Sequence, residues 1–181
     1  MAIRLFIALR PPAAVREQLL DVMEGVPNAR WQDDEQLHLT LRFVGEVEPR
    51  VGDDLVAALA QVRAPAPLVR LQGVGRFDKR GGALWAGVAP HQALAALHRK
   101  VDAACVRCGL PPERRAFLPH ITLARLSGIA ARGAAAERWL ADTAGLASAP
   151  FVLEHLTLYE SHLGPDGAAY EPVMRWSLDP S

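Results

Sequence analysis

Apolar positions along this chain recur with two periods, and the switches between them mark out its elements. Ile3 to Leu9 is a near-continuous apolar run of the kind found in a buried strand. From Pro12 to Gly25, Val15, Leu19, Leu20 and Met23 fall at helical spacing, with proline at the start. Leu37 to Val44 alternates as a strand and is closed by a turn at Gly45-Glu46. Pro49 to Ala64 is predicted helical through Leu55, Val56, Leu59 and Val62. Strands follow at Leu68–Phe77 and Leu84–Val88, separated by the turn-forming run Asp78-Lys79-Arg80-Gly81-Gly82. A helix over His91–Gly109 comes next, with Leu94, Leu97 and Val101 on one face. The remaining predictions are a strand at Leu118–Leu126, a helix at Arg132–Ala144, and strands at Phe151–Tyr159 and Tyr170–Leu178.

Two of the strands carry the same four-residue pattern, His38-Leu39-Thr40-Leu41 and His120-Ile121-Thr122-Leu123. In a strand, residues i and i+2 share a face, so each histidine and its threonine point one way while the aliphatics point into a core. Imidazoles exchange protons near neutral pH, and hydroxyls donate to an oxyanion. The doubled pattern is therefore equipment for acid–base chemistry at a phosphate. Six His and four Thr in 181 residues give a chance expectation of about 0.13 His-x-Thr pairs. The chain has three, because His155-Leu156-Thr157-Leu158 repeats the pattern. Pattern alone does not choose between the copies.

The order of elements chooses. Strand, helix, His-x-Thr strand, helix, strand occurs twice, and a shift of 82 residues carries His38 onto His120. The same shift places the Phe6 strand on the Val88 strand, Leu19 on Val101, Val69 on Phe151 and Phe77 on Tyr159. The reading is one domain over 1–181 with an internal duplication, approximately 1–82 and 83–181, packed about a pseudo-two-fold axis. His38 and His120 are then symmetry mates beside Thr40 and Thr122. His155 maps onto Gly73, which has no side chain, so the third copy reads as a neighbouring strand that lines the site.

Composition narrows the field. Half the residues are hydrophobic and the formal net charge is zero, so no global field draws nucleic acid. Any such contact must come from local arginines; Arg42, Arg76 and Arg80 are candidates, with solvated surface as the default. The apolar stretch Leu5–Leu9 is too short for a signal or membrane segment, so a cytoplasmic location with reduced thiols at Cys105 and Cys108 is expected. That lone C-x-x-C reads as packing, since further metal ligands at close spacing are missing. His91 and His98 read as surface residues, and Trp85 and Trp176 as core. An intact internal two-fold makes a monomer sufficient.

With those residues in view, the chain resembles the 2H phosphoesterase superfamily, and more closely the LigT-like RNA 2′,3′-cyclic phosphodiesterases, also called 2′-5′ RNA ligases. The similarity runs nearly end to end: Arg4-Leu5-Phe6-Ile7-Ala8-Leu9, Trp31, Phe43-Val44-Gly45-Glu46-Val47, Leu84-Trp85-Ala86-Gly87-Val88, Phe117-Leu118-Pro119 before the second motif, Ala124-Arg125 after it, and Leu158-Tyr159-Glu160-Ser161. It implies an α+β fold of two pseudo-symmetric lobes, each an antiparallel sheet with outer helices, around a central groove. It further implies opening of RNA 2′,3′-cyclic phosphate ends to a 2′-phosphate without metal or other cofactor, and reversible 2′-5′ ligation, with tRNA fragments among the RNA partners. His120 becomes the proton acceptor and His38 the proton donor; symmetry alone permits the reverse. Thr40 and Thr122 would hold phosphate oxygens. Phe43 and Tyr159 are candidates to stack a terminal base. Arg125 is a candidate phosphate ligand, although strict alternation from Thr122 turns it away unless a bulge or the strand end swings it inward. The sequence departs from its relatives in the loop Lys79-Arg80-Gly81-Gly82-Ala83 and in the third motif at His155 and Thr157.

Two other readings stay open. The same motifs would serve a 2H enzyme acting on a small cyclic nucleotide, an ADP-ribose cyclic phosphate or a 2′-5′ oligoadenylate. They would also suit a module that binds RNA ends without turnover. A metallophosphatase fits poorly, because clustered carboxylates and His-x-His spacing are missing.

Overall fold

The computed structural model describes residues 1–180. Its elements in chain order are β1 (Ile3–Leu9), α1 (Ala13–Leu20), β2 (Arg30–Trp31), a 3-10 turn (Asp34–Gln36), β3 (Leu39–Val47), α2 (Pro49–Leu59), β4 (Leu68–Phe77), β5 (Gly82–Ala89), α3 (Gln92–Arg107), β6 (His120–Leu126), α4 (Gly128–Ala131), α5 (Ala134–Thr143), β7 (Phe151–Val152), β8 (His155–Gly164) and β9 (Gly167–Ser177). The strands pair antiparallel in the order β7-β4-β5-β6-β3-β1-β8-β9, with β2 added on β6. Among the described residues, β3 and β6 meet at one register pair, Leu39 opposite Ile121. The sheet therefore divides there into two lobes. One contains β3-β1-β8-β9 and the other β6-β5-β4-β7, and each draws strands from both halves of the sequence.

The chain runs from Val152, at one end of this order, to His155, six strands away. Six strand spacings in a flat sheet span about 29 Å, whereas three residues reach at most about 11 Å. The sheet must curl. One face packs on the helices, where Leu5, Ile7, Leu9, Leu39, Leu41, Ile121 and Leu123 meet Leu19 of α1, Leu55 and Leu59 of α2 and Leu94, Leu97 and Val101 of α3. The other face, with Phe6, Ala8 and Tyr159, lines a groove. Because β1 is buried on both faces, it reads as an apolar run rather than as an alternation.

The α+β class and the outer helices agree with the sequence reading; several boundaries move. Phe151–Tyr159 is not one strand, since β7 pairs with β4 while β8 pairs with β1 and β9. The first helix ends at Leu20 instead of Gly25: the next amides bond three residues back, Val22 to Leu19 and Met23 to Leu20, and the Val22 carbonyl accepts from Trp139 Nε1 at 2.8 Å. Helix α2 ends at Leu59, ahead of Ala64-Pro65, where proline disfavours the helical conformation of the residue before it. No helix among the described residues is long and apolar enough to cross a membrane.

Register relates the lobes residue by residue. Ala8 lies between Thr40 and Thr157, while Trp85 lies between Thr122 and Gly75. The 82-residue shift therefore joins β3 to β6 and β8 to β4, but β1 and β5 are related by 77 (Ala8 to Trp85). The sequence alignment of Phe6 with Val88 is corrected accordingly. Trp85 is large where Ala8 is small, and its ring lies across Gly75. A Cβ on Gly75 would fall 2.2 Å from that ring.

Gly75→Ala is expected to push Trp85 into the groove and to destabilise the fold by about 1–3 kcal/mol, the usual cost of overpacking. Urea unfolding checks this, and an unchanged midpoint would show that the ring relaxes freely.

Candidate active site

The single pairing of Leu39 with Ile121 builds the site. Both are 1% exposed or less and point to the helix side, so their neighbours His38, Thr40, His120 and Thr122 point into the groove. An antiparallel pair centred there sets His38 beside Thr122 and Thr40 beside His120. All four side chains are half-buried. The groove holds a cavity of about 940 Å³ lined by Thr40, His120, Arg125, Phe43, Phe77 and the Asp78–Gly82 loop, among others.

Each histidine is anchored alike. His38 Nδ1 lies 2.6 Å from the carbonyl of Gln36, and His120 Nδ1 lies 2.7 Å from the carbonyl of Leu118. A carbonyl only accepts, so Nδ1 carries the proton in both rings and Nε2 is the exchanging nitrogen. Aromatic rings back each imidazole: Phe6 at 4.9 Å and Tyr170 at 5.2 Å beside His38, Phe77 at 5.1 Å and Trp85 at 5.9 Å beside His120. Burial disfavours the charged ring. It is the main cause that pulls the His38 pKa down to about 4, with the charges of Arg125, Arg10 and His120 adding to it and the Gln36 carbonyl opposing. His120 is lowered too, by burial first and then by Arg125.

A β-bulge follows each motif at the same place. On β6, Leu84 faces Ala124 while Trp85 faces Thr122, leaving Leu123 as the extra residue. On β3, Ile7 faces Arg42 while Ala8 faces Thr40, leaving Leu41 as the extra residue. A bulge changes the parity of the faces. The third residue after each threonine thus turns into the groove, Arg125 from one lobe and Phe43 from the other, and both line the cavity. Phe43 stands 51% exposed. Tyr159 does not stand free: it is 8% exposed and stacked on Phe6 at 5.1 Å, so it backs His38.

Other residues depart from the sequence reading. Arg42 does not follow the surface. It is buried, ion-paired with Asp102 and donates to the Pro111 carbonyl at 2.6 Å, tying β3 to α3 and to the segment that leads into His120. His98 is half-buried rather than on the surface; its Nδ1 donates to the Leu41 carbonyl at 2.8 Å and its ring stacks on Phe117 at 4.4 Å. Trp85 is a groove wall as well as core. Phe6, Phe77 and Tyr170 complete the walls, a role that alternation along each strand does not single out. Phe77 and Tyr159 are related by the 82-residue shift, and that shift was the available signal. The thiols of Cys105 and Cys108 are both raised by burial, as suits packing.

Comparison with known proteins places this geometry. A profile of the 2′-5′ RNA ligase superfamily matches residues 9–165. The RNA 2′,3′-cyclic phosphodiesterase of Escherichia coli K12 is 30% identical over 179 residues, 97% of this chain and 96% of its own. Proteins of that same name from Geobacillus stearothermophilus and Aeropyrum pernix are 39% and 36% identical over 58% of this chain. There the match spans only 35% and 60% of their lengths. The crystal structure of E. coli LigT in apo form superposes with a TM-score of 0.79 at 28% identity, covering 98% of both chains. LigT has also been solved with 3′-AMP, with a TM-score of 0.80 at 27% identity.

In the free protein His38 is expected to stay neutral down to about pH 4, and His120 to titrate below the ordinary histidine value. An unfolded histidine protonates near 6.5, so stability is lost as pH falls from there toward 4. Histidine ring NMR checks this. Arg125→Ala should raise both titrations and Arg10→Ala that of His38; ordinary titration of both rings near 6.5 would refute the assignment.

Proposed function

This chain belongs to the 2′-5′ RNA ligase superfamily, and from that premise we propose that it hydrolyses RNA 2′,3′-cyclic phosphate ends to a terminal 2′-phosphate, with His38 and His120 as its acid and base. The observation that carries the reading is the pair of Nδ1-anchored imidazoles presenting Nε2 to one groove from two strands joined at Leu39 and Ile121. The names of the relatives and the 3′-AMP complex of LigT support a nucleotide phosphate in that groove.

His120 Nε2 takes a proton from water as its oxygen bonds to phosphorus. The bond from phosphorus to the 3′-oxygen breaks in line, and His38 gives that oxygen its proton, so the phosphate stays on the 2′-oxygen. Each transfer is worth about 10²–10⁴-fold. Thr40, Thr122 and Arg125 donate to the non-bridging oxygens as charge grows on them. The lowered pKa values make the substrate part of the machine. Its phosphate anion offsets Arg125 and raises His38 toward the charged form that an acid requires. Phe43, exposed at the mouth, stacks the terminal base. With a ribose 5′-hydroxyl in place of water the same in-line displacement forms a 2′-5′ bond, and attack of the freed 3′-hydroxyl reverses it by expelling the 5′-hydroxyl; tRNA fragments with suitable ends are candidate partners. Both motifs come from one chain, so a monomer suffices and no metal enters any step.

The deciding assay is hydrolysis of a short RNA ending in a 2′,3′-cyclic phosphate, with EDTA present. His38→Ala and His120→Ala should each lower kcat by about 10²–10⁴-fold, with the wild type yielding a 2′-phosphate. The alkaline limb of kcat should lie above that of kcat/KM, because the bound anion raises His38. A 3′-phosphate product, or a variant within tenfold of wild type, would overturn the assignment of roles.

A further inference from the structure

The third His-x-Thr copy has its own place on the groove face. Strand β1 registers Ala8 with both Thr40 and Thr157, and Leu9 with both Leu39 and Leu156. Arg10 follows Leu9 just past the end of β1; its charge acts on His38, and it lines one cavity with His155. Strand β9 then sets Arg175 opposite Thr157. At about 4.8 Å per strand, Thr157 lies roughly 10 Å from Thr40, and Arg175 one strand beyond. In the other lobe the corresponding residues are Gly73 and Gly75, with Trp85 filling the space. The two-fold is broken at this point.

On the His155 side a cavity of about 780 Å³ opens, and its polar lining includes Arg10, Arg16, His155, Thr157, Tyr159 and Arg175. Asp34 fixes two of its guanidinium groups, Arg16 at 2.9 Å and Arg10 at 3.2 Å. Arg10 also donates to the Glu35 carbonyl and Arg16 to that of Pro11. Arg175 has no carboxylate partner among the described residues. Against three guanidiniums stand Asp34 and, in the lining, Glu154, which leaves the cavity net positive. Pro11, Pro172 and Phe151 give it an apolar wall.

Resting on the function proposed above, we propose that this cavity is a subsite for a backbone phosphodiester of the RNA chain, upstream of the reacting end. Arg175 and His155 would hold the phosphate, with the buried Thr157 behind them hydrogen-bonded to Tyr159, and the prolines would carry the adjoining sugar. Arg10 links the subsite to His38, so the RNA leaves the catalytic centre across the β1-β8-β9 lobe and not across its Trp85-filled counterpart.

The test compares kcat/KM for a mononucleotide 2′,3′-cyclic phosphate with that for a tetranucleotide carrying the same end. The wild type should favour the tetranucleotide at least tenfold. In Arg175→Ala, and in His155→Gln as a second variant, that ratio should fall to within about twofold of unity. The slope of log affinity against log salt for the tetranucleotide product should lessen by about 0.7 in Arg175→Ala, as for one lost phosphate contact on a single strand. An unchanged ratio and slope would overturn the subsite. Preference for an ADP-ribose cyclic phosphate over the tetranucleotide, lost in the same variants, would overturn its assignment to RNA. If the wild type turned over none of these substrates, the hydrolase reading would fail on its own. The subsite would then be judged by anisotropy of the labelled tetranucleotide product, and equal affinity in wild type and Arg175→Ala would reject it.

Discussion

Two strands that touch at one residue pair hold the candidate site together. Leu39 and Ile121 are buried against the helices, so the residues on either side of each are committed to the groove. A slip of one residue on either strand would exchange faces, burying an imidazole and exposing a leucine. The core thus fixes the register, and the register fixes the distance between the two histidines. The ion pair of Arg42 with Asp102 and the hydrogen bond from His98 to Leu41 brace this junction from the helix side. A buried arginine with its partner removed is costly, so these groups hold the β3 register more firmly than aliphatic packing alone would.

The same burial that fixes the histidines also sets their chemistry. Aromatic rings on one side and guanidiniums near the groove both favour neutral imidazole. Anchoring each Nδ1 on a carbonyl opposes this only in part, and it leaves Nε2 as the reactive atom on both rings. A site so arranged is a poor acid when empty and improves when an anion enters. Charge complementarity and proton supply then become one property, which favours a phosphodiester anion over a neutral ester as the group to be cleaved.

Much of this was legible in the sequence, and what was not shares a physical cause. The His-x-Thr strands, their inward faces and the helices behind them follow from periodicities of two and 3.6. The offset of 82 residues pairs His38 with His120 and leaves His155 opposite Gly73, and the strand register repeats that offset between β3 and β6 and between β8 and β4. Strict alternation failed at Arg125, because the bulge at Leu123 is a property of strand pairing that periodicity does not report. It failed again over Phe151–Tyr159, where one apolar run serves two strands at distant positions in the sheet. Arg42 and His98 leave the surface because their partners, Asp102 and the Leu41 carbonyl, come from other elements, which local pattern does not report. The carbonyls of Gln36 and Leu118 are backbone groups and carry no side-chain signature at all.

The two-fold that makes the reactive centre symmetric cannot by itself tell acid from base. Its departures can. Beyond the shared histidines and threonines, one lobe offers Phe43 where the other offers Arg125, and Ala8 with Thr157 where the other offers Trp85 with Gly75. Arg125 acts on both imidazoles, whereas Arg10 acts on His38. On the proposed function and subsite, a polymeric substrate drawn toward the open, positive lobe would seat its reacting phosphate in one orientation between the histidines. Direction along the chain would then be translated into a choice of leaving oxygen. On that reading, equal histidines and unequal surroundings are both needed for a near-symmetric groove to give a single product.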